Sequence, residues 1–302
     1  MLQIVFDSLT RAAELSLMAV GLTMVYSLLR FPNFAHVESA TIGAYAALFF
    51  STTLGLAFLP AAVLAILLTA VLGVVFDKLV FGHLRDRSDI ILMIASFALG
   101  IGIRQVFLLF WGPRPHFFSV GWGSALSIGG AHITPVQIGV IVTAVVCMLL
   151  FHLLLNRTRM GIAMRASADN SVLAEASGIR TERIVTAVWL LGSGMAGVAG
   201  VLLALDTQIQ PNMGVAVIIP VFGAAIMGRI GNPYGAMAGA LIFGFAENFG
   251  LGINWAPLLQ TVGLTSADFA FIPAGYKEAV PFAVLIVVLI WRPQGLFGRV
   301  TR

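Results

Sequence analysis

Apolar residues dominate the chain in long runs, and polar residues gather in the gaps between them. A helix needs about 20 apolar residues to cross a bilayer. Six runs come close to or exceed that length: 9–29, 35–53, 57–80, 89–111, 135–155 and 184–205. Three weaker runs follow at 214–228, 235–251 and 276–291. They are short and interrupted, with Pro220 inside one and Pro281 near the start of another. Broken apolar helices persist only where protein or an aqueous cavity covers the freed backbone groups. The weak runs therefore suggest a transport pathway more than simple anchors. The stretch WGPRPHFFSVGWGS from Trp111 is too rich in Gly and Pro for helix and reads as a loop. The pattern predicts an all-α, polytopic helical membrane bundle of about eight to ten crossings. No linker divides it, so residues 1–302 are expected to form one domain.

Composition narrows the class. Of 302 residues, 59% are hydrophobic and only 10% charged, whereas soluble chains carry about 25% charged residues. A soluble protein is excluded on that ground. The lone Cys147 rules out an internal disulfide. The N-terminal apolar run lacks a preceding basic region and is expected to be a retained helix. The net charge of +4 is no nucleic-acid signal; the position of the cations says more. With nine crossings and an outside N-terminus, most of the 17 Lys and Arg residues fall on the inner side. Arg11, Arg114 and Lys277 are left outside, and Arg104 lies within a span. Such asymmetry marks the cytoplasmic face. Trp111, Trp122 and Trp255 fall at outer boundaries and Trp291 at an inner one, as an aromatic belt does.

Polar residues inside the apolar runs are the candidate pathway. The stretch NFAHVE places Asn33, His36 and Glu38 at the expected inner mouth of the second span. Asn33 suits a helix cap, and Glu38 suits the positive end of the helix dipole. Alternatively the three residues line or gate the cytoplasmic exit, with His36 the candidate for pH sensitivity. Ionisable groups deep in lipid are costly and face protein or water. Arg104 and Glu247 lie about 22 Å and about 18 Å from the inner side at 1.5 Å per residue. Glu14 reaches a similar depth from outside. Depth thus allows Arg104 to pair with Glu247 or Glu14 and disfavours Glu38. Asp206, Gln208 and Gln210 read as outer loop residues, or as contacts for an extracytoplasmic protein. The run GSGMAGVAG sets Gly192, Ala196 and Gly200 on one helix face, a close-packing signal.

The longest inner loop runs from 156 to 184. Within it SVLAEAS forms a helix of about two turns, started by Asp169 or Asn170 and ended by Gly178. Thr181 is placed to cap the following span. So short a helix is unstable alone and must pack on its own subunit or on a partner.

Three stretches together carry a family resemblance: GLTMVYSLLRFPNFAHVESATIGAY, MGIAMRASADNSVLAEASGI and GYKEAVPFAVLIVVLIWRPQGLFG. The chain resembles the H-type (LivH-like) permease subunit of branched-chain amino-acid ABC importers, from about Gly21 to Gly298. The resemblance implies that the inner loop is a coupling segment docking into a cytoplasmic ATPase. Arg165, Asp169, Ala174, Glu175, Ala176, Ser177 and Gly178 would meet that partner. It further implies a homologous M-type permease, two ABC ATPases using ATP and Mg, an extracytoplasmic solute-binding protein, and a multi-pass place in the bacterial inner membrane. The solute would be a branched-chain or other hydrophobic amino acid, although related systems move urea, short amides or aromatic acids. Val37 and, further on, Arg229 and Asn232 depart from the family pattern. The chain carries no P-loop motif, GxxxxGK[ST], and therefore needs a separate ATPase. It also lacks HExxH and GxSxG and holds no expected catalytic or metal residues of its own. A stand-alone secondary transporter of small organic solutes is the other function that broken helices and buried charges would serve.

Overall fold

The computed structural model describes residues 1–118, 120, 123–261, 268–277 and 279–298. Trp122, placed above at an outer boundary, lies outside these residues, as do Arg299 and Arg302, two of the cations expected on the inner side. The chain opens with helix α1 (Leu2–Leu29). A 3-10 turn at Phe34–Val37 leads into α2 (Glu38–Thr52). Helix α3 (Phe58–Leu84) contains a wide turn at Asp77–Phe81, and α4 covers Asp89–Trp111. A two-stranded hairpin, β1 (Leu126–Ile128) with β2 (Ala131–Ile133), interrupts the loop before α5 (Pro135–Arg157). Two loop helices follow, α6 (Arg159–Asp169) and α7 (Ser171–Ala176), then the long α8 (Thr181–Asp206). The remainder comprises α9 (Met213–Ala216), α10 (Ile218–Gly228), α11 (Pro233–Gly252), α12 (Ala256–Thr261) and α13 (Ala279–Trp291).

Among the described residues, five helices are long and apolar enough to cross a membrane: α1, α3, α4, α5 and α8. The two weak runs ending at 228 and 291 become the short helices α10 and α13, as their interruptions suggested. The run at 235–251 instead forms one continuous helix, α11, started by Pro233 at its first position and by Asn232 Oδ1 accepting from Tyr234 N and Gly235 N.

Burial separates inner from outer helices. Within their apolar windows α1 and α8 are 72% buried, whereas α4 and α5 are 22% buried. Residues Leu15 to Val20 of α1 are buried on every side of the helix, which is the mark of a central helix. Around it lie α5, α8, α10 and α11, with α2 and α3 packed on α8. Outward stripes on α3 (Leu59, Val63, Leu67, Val71) and α5 (Val142, Val145, Leu149, Leu153) are left exposed. In a bilayer these stripes meet lipid tails, so they need no protein cover.

Small residues let the inner helices approach backbone to backbone, as GSGMAGVAG predicted, but on more than one face. Gly192 packs on Gly21 of α1, Gly197 lies against Thr69 of α3, and Gly200 lies on Ala40 of α2. A Cβ at Gly200 would overlap the Ala40 carbonyl.

Buried charge ties together the half of the bundle in which α1 begins. Arg11 Nε contacts Glu247 Oε2 at 3.1 Å, and Arg11 reaches Glu14 at 3.5 Å. Lys277 Nζ meets the other Glu247 oxygen at 2.8 Å. Both carboxylates therefore belong to this network, and neither pairs with Arg104 as depth had suggested. The ion pairs clamp α1 to α11 and to the segment entering α13. At the opposite end Arg85 grips Asp77 with both carboxylate oxygens, at 2.7 and 2.9 Å, and holds Glu182 at 2.7 Å, joining α3 to α8.

Two stability outcomes are expected. Gly200→Val forces α2 from α8 and should destabilise the detergent-solubilised protein by about 1–3 kcal/mol. Leu150→Val on the lipid face should leave the thermal unfolding profile in place. Arg11→Met strands Glu14 and weakens the hold on Glu247. Breaking a buried ion pair costs about 3–5 kcal/mol, so little monodisperse protein should survive size-exclusion chromatography. Adding Glu14→Gln should restore part of it, and no recovery would show that Arg11 acts through packing alone.

Candidate functional site

Two regions gather the residues singled out in the sequence: a cleft beside α4 and the loop helices α6 and α7. The cleft exists because α2 does not begin where α1 ends. Arg30, in the left-handed region at φ 60°, closes α1 by donating its backbone N–H to Tyr26 O. The chain then climbs back into the bundle. Phe31 buries its ring against Phe81, with centroids 5.3 Å apart. Asn33 Oδ1 accepts from Ala35 N at 3.1 Å and caps the 3-10 turn, rather than α2 itself. Phe34 N donates to Ser96 Oγ at 3.0 Å. Glu38 thus enters α2 beside Gly100, level with the middle of α4.

This placement corrects the depth reading. Glu38, expected at the inner mouth, is the residue that faces Arg104, with Oε1 3.7 Å from Arg104 Nε. The depth estimate counted 1.5 Å per residue through a regular helix. The chain instead turns back after α1: Asn33 is extended and Phe34–Val37 form a 3-10 turn, which rises about 2.0 Å per residue, so His36 comes level with Gly21 of α1 and Glu38 with Gly100 of α4.

Glu38 is 1% exposed, and its Oε2 accepts from Thr41 Oγ1 at 2.9 Å. Thr41 Oγ1 also accepts from Gly214 N at 3.1 Å, joining α2 to the short α9. A separation of 3.7 Å is too long for a hydrogen bond, so Arg104 and Glu38 face each other without closing. Among the described residues the Arg104 side chain has no other polar partner. The two line a cavity of about 160 Å³ with Phe34, Phe97, Gly100, Val215 and Ile218. Asn33 and His36 lie outside that lining. Both are 1% exposed, and the His36 ring packs on Gly21 of α1. Glu247 belongs to the charge network of Arg11 and Lys277 instead. Thr41 and Gly214, which the sequence reading missed, position the acid; a Thr one turn after a buried Glu was the available signal.

The loop at 156–184 is better built than its sequence suggested. Besides the expected short helix it contains α6, capped by Thr158 Oγ1 accepting from Gly161 N at 3.0 Å. Asn170, not Asp169, starts α7, with Oδ1 accepting from Leu173 N at 3.0 Å. Gly178, at φ 85°, ends it. Thr181 does not cap α8; its hydroxyl donates to Glu175 Oε1 at 2.7 Å and braces α7 against the next helix. Ala174 is buried inward, and Ser177 Oγ donates to Leu173 O at 2.8 Å. Ala176 is exposed. The outward face carries Val172 and Leu173, 76% and 64% exposed. Val and Leu, the two large apolar residues of SVLAEA, were the signal for it. Arg30 donates to Ala168 O at 2.8 Å, fastening α6 to the end of α1. Arg165 donates to Asn156 Oδ1 at 3.2 Å. Arg30, Arg165, Asp169 and Arg229 line a cavity of about 540 Å³ between α6 and the membrane helices. Among the described residues no group of three or more His, Cys, Asp or Glu is placed to hold a metal ion.

The chain is similar to known permeases along nearly its whole length. Residues 4–289 match the family model described as branched-chain amino acid transport system / permease component. The permease protein LivH of the high-affinity branched-chain amino acid transport system of Salmonella typhimurium is 31% identical over 313 residues, covering 99% of this chain and 96% of its own length. The permease protein BraD of the corresponding Pseudomonas aeruginosa system is also 31% identical, with the same coverage. The galactofuranose transporter permease protein YtfT of Escherichia coli is 27% identical, over 95% of this chain and 79% of its own length. With the family model spanning nearly the whole chain and LivH aligned from end to end, this multi-pass membrane protein belongs to the permease family of branched-chain amino acid ABC transport systems.

Proposed function

We propose that the chain is one half of the transmembrane pathway of an ABC importer and moves branched-chain or other hydrophobic amino acids inward by alternating access. A homologous M-type permease forms the other half. Two cytoplasmic ATPases, which use ATP and Mg, drive the cycle, and an extracytoplasmic binding protein delivers solute. The N-terminus lies outside the inner membrane and the C-terminus in the cytoplasm, in keeping with the distribution of Lys and Arg.

The observation that carries this reading is the build of α7. A helix of six residues has no stability of its own. Here it is capped at both ends, braced by Thr181 and backed by α6, yet it turns Val172 and Leu173 to solvent. Exposed apolar residues on a rigid mount are suited to a partner's groove. Seated there, α7 moves as a rigid body with the ATPase when ATP closes the ATPase pair. Arg30 and the Arg85–Glu182 contact carry that motion to α1, α3 and α8.

Affinity capture of the tagged chain from native membranes tests this reading. The wild type should bring down a P-loop ATPase and a second permease. Val172→Asp with Leu173→Asp should cut ATPase recovery at least tenfold, and Gly178→Val should act similarly through strain at its positive φ. His132→Ala in the remote hairpin should change nothing. Equal ATPase recovery from every variant would refute α7 as the docking element. A wild-type chain that moves leucine in liposomes with no ATPase would refute the importer reading itself.

A further inference from the structure

The cleft beside α4 pairs one acid with one base across a small apolar space, and its dimensions suggest an occupant. We infer that Glu38 and Arg104 form a zwitterion-recognition site within the permease, contacting the α-ammonium and α-carboxylate of an aliphatic amino acid in transit. This inference deepens the importer reading and rests on it for the solute class.

Four features carry the inference. First, the acid and base are close but not joined. At 3.7 Å the pair lies beyond hydrogen-bond range, and Arg104 has no other polar partner among the described residues. A guanidinium fork in that state is available for bidentate capture of a carboxylate. Second, Glu38 is held from behind. Thr41 occupies Oε2, leaving Oε1 directed towards Arg104 as the free acceptor for an ammonium donor. Third, the rest of the lining is apolar, with Phe97, Val215 and Ile218 forming a wall for an aliphatic side chain. Fourth, the size is right. About 160 Å³ lies well below the ~300–1,000 Å³ of drug-sized pockets, so only a small solute fits.

Net charge supplies the selectivity. The cleft holds one negative and one positive group, and a zwitterion satisfies both. An amine or a carboxylic acid of the same shape satisfies one and leaves the other desolvated and unpaired. Discrimination of this kind comes from the penalty on the wrong ligand as much as from contacts to the right one. A pair left slightly open also suits a pathway, because a tightly closed pair would have to be broken at every passage.

Thiol protection tests the site without relying on the selectivity of the binding protein. Cys147 is the sole cysteine, so a Cys147→Ala, Phe97→Cys chain carries one reporter at the cleft, purified with whatever subunits accompany it. Millimolar leucine should slow labelling by a small thiol reagent several-fold. The single-charge analogues 3-methylbutylamine and 4-methylpentanoate should not. Glu38→Gln and Arg104→Gln should each abolish leucine protection while the subunits still co-purify, which separates recognition from assembly. Equal protection by all three compounds, or leucine protection that survives both substitutions, overturns the inference. So does labelling indifferent to leucine in a complex that transports leucine. Leucine protection in a chain that carries no ATPase would uphold the site and overturn the importer reading.

Discussion

A helix that begins in the middle of a membrane bundle leaves its first N–H groups without intrahelical partners, and lipid offers none. The rest of the pathway is arranged around that constraint. Ser96 and Asn33 supply oxygen acceptors where the 3-10 turn ahead of α2 begins, and Thr41 does so where α9 begins. Those small polar groups fix the height of Glu38 in the bundle. Its height in turn brings it to Arg104 rather than to the membrane face. The cleft is thus a product of backbone satisfaction first and of side-chain charge second.

Charge has different work at the two depths. In the half of the bundle where α1 begins, Arg11 and Lys277 are closed on Glu247 at 3.1 and 2.8 Å, and the contacts join separate segments of the chain. That is a structural clamp. Beside α4 the corresponding pair stands open. Distance and satisfaction, not residue type, separate a pin from a binding group. The same contrast holds at the loop helices, where Glu175 is spent on Thr181 while its apolar neighbours Val172 and Leu173 face outward.

Much of this was legible in the sequence. Apolar run length located the five long helices, and Pro and Gly marked two short ones, but the run at 35–53, expected as a sixth span, folds as a 3-10 turn and the 15-residue α2. Asn170 and Gly178 announced α7. The partner of Arg104 was not legible, because depth was counted along a regular helix. Nothing in NFAHVE alone reveals that the backbone before Glu38 is extended and then 3-10. Helix α6 was also missed, since Thr158 precedes it without the acidic first turn that would strengthen a capping signal. Local patterns identify elements; the meeting of Glu38, Thr41 and Gly214 across 173 residues is a tertiary fact.

The backbone contacts of α8 also bear on how the gene tolerates change. Every single-base missense change in a glycine codon yields a residue with at least a Cβ. At Gly21 and Gly200 no such atom fits without moving a neighbouring helix. Outward residues such as Leu67 and Leu150 touch no such backbone, so exchange for another apolar residue displaces nothing. At these positions tolerance runs opposite to side-chain size: the glycines at helix contacts are the least replaceable, and the large apolar residues on the perimeter are the most.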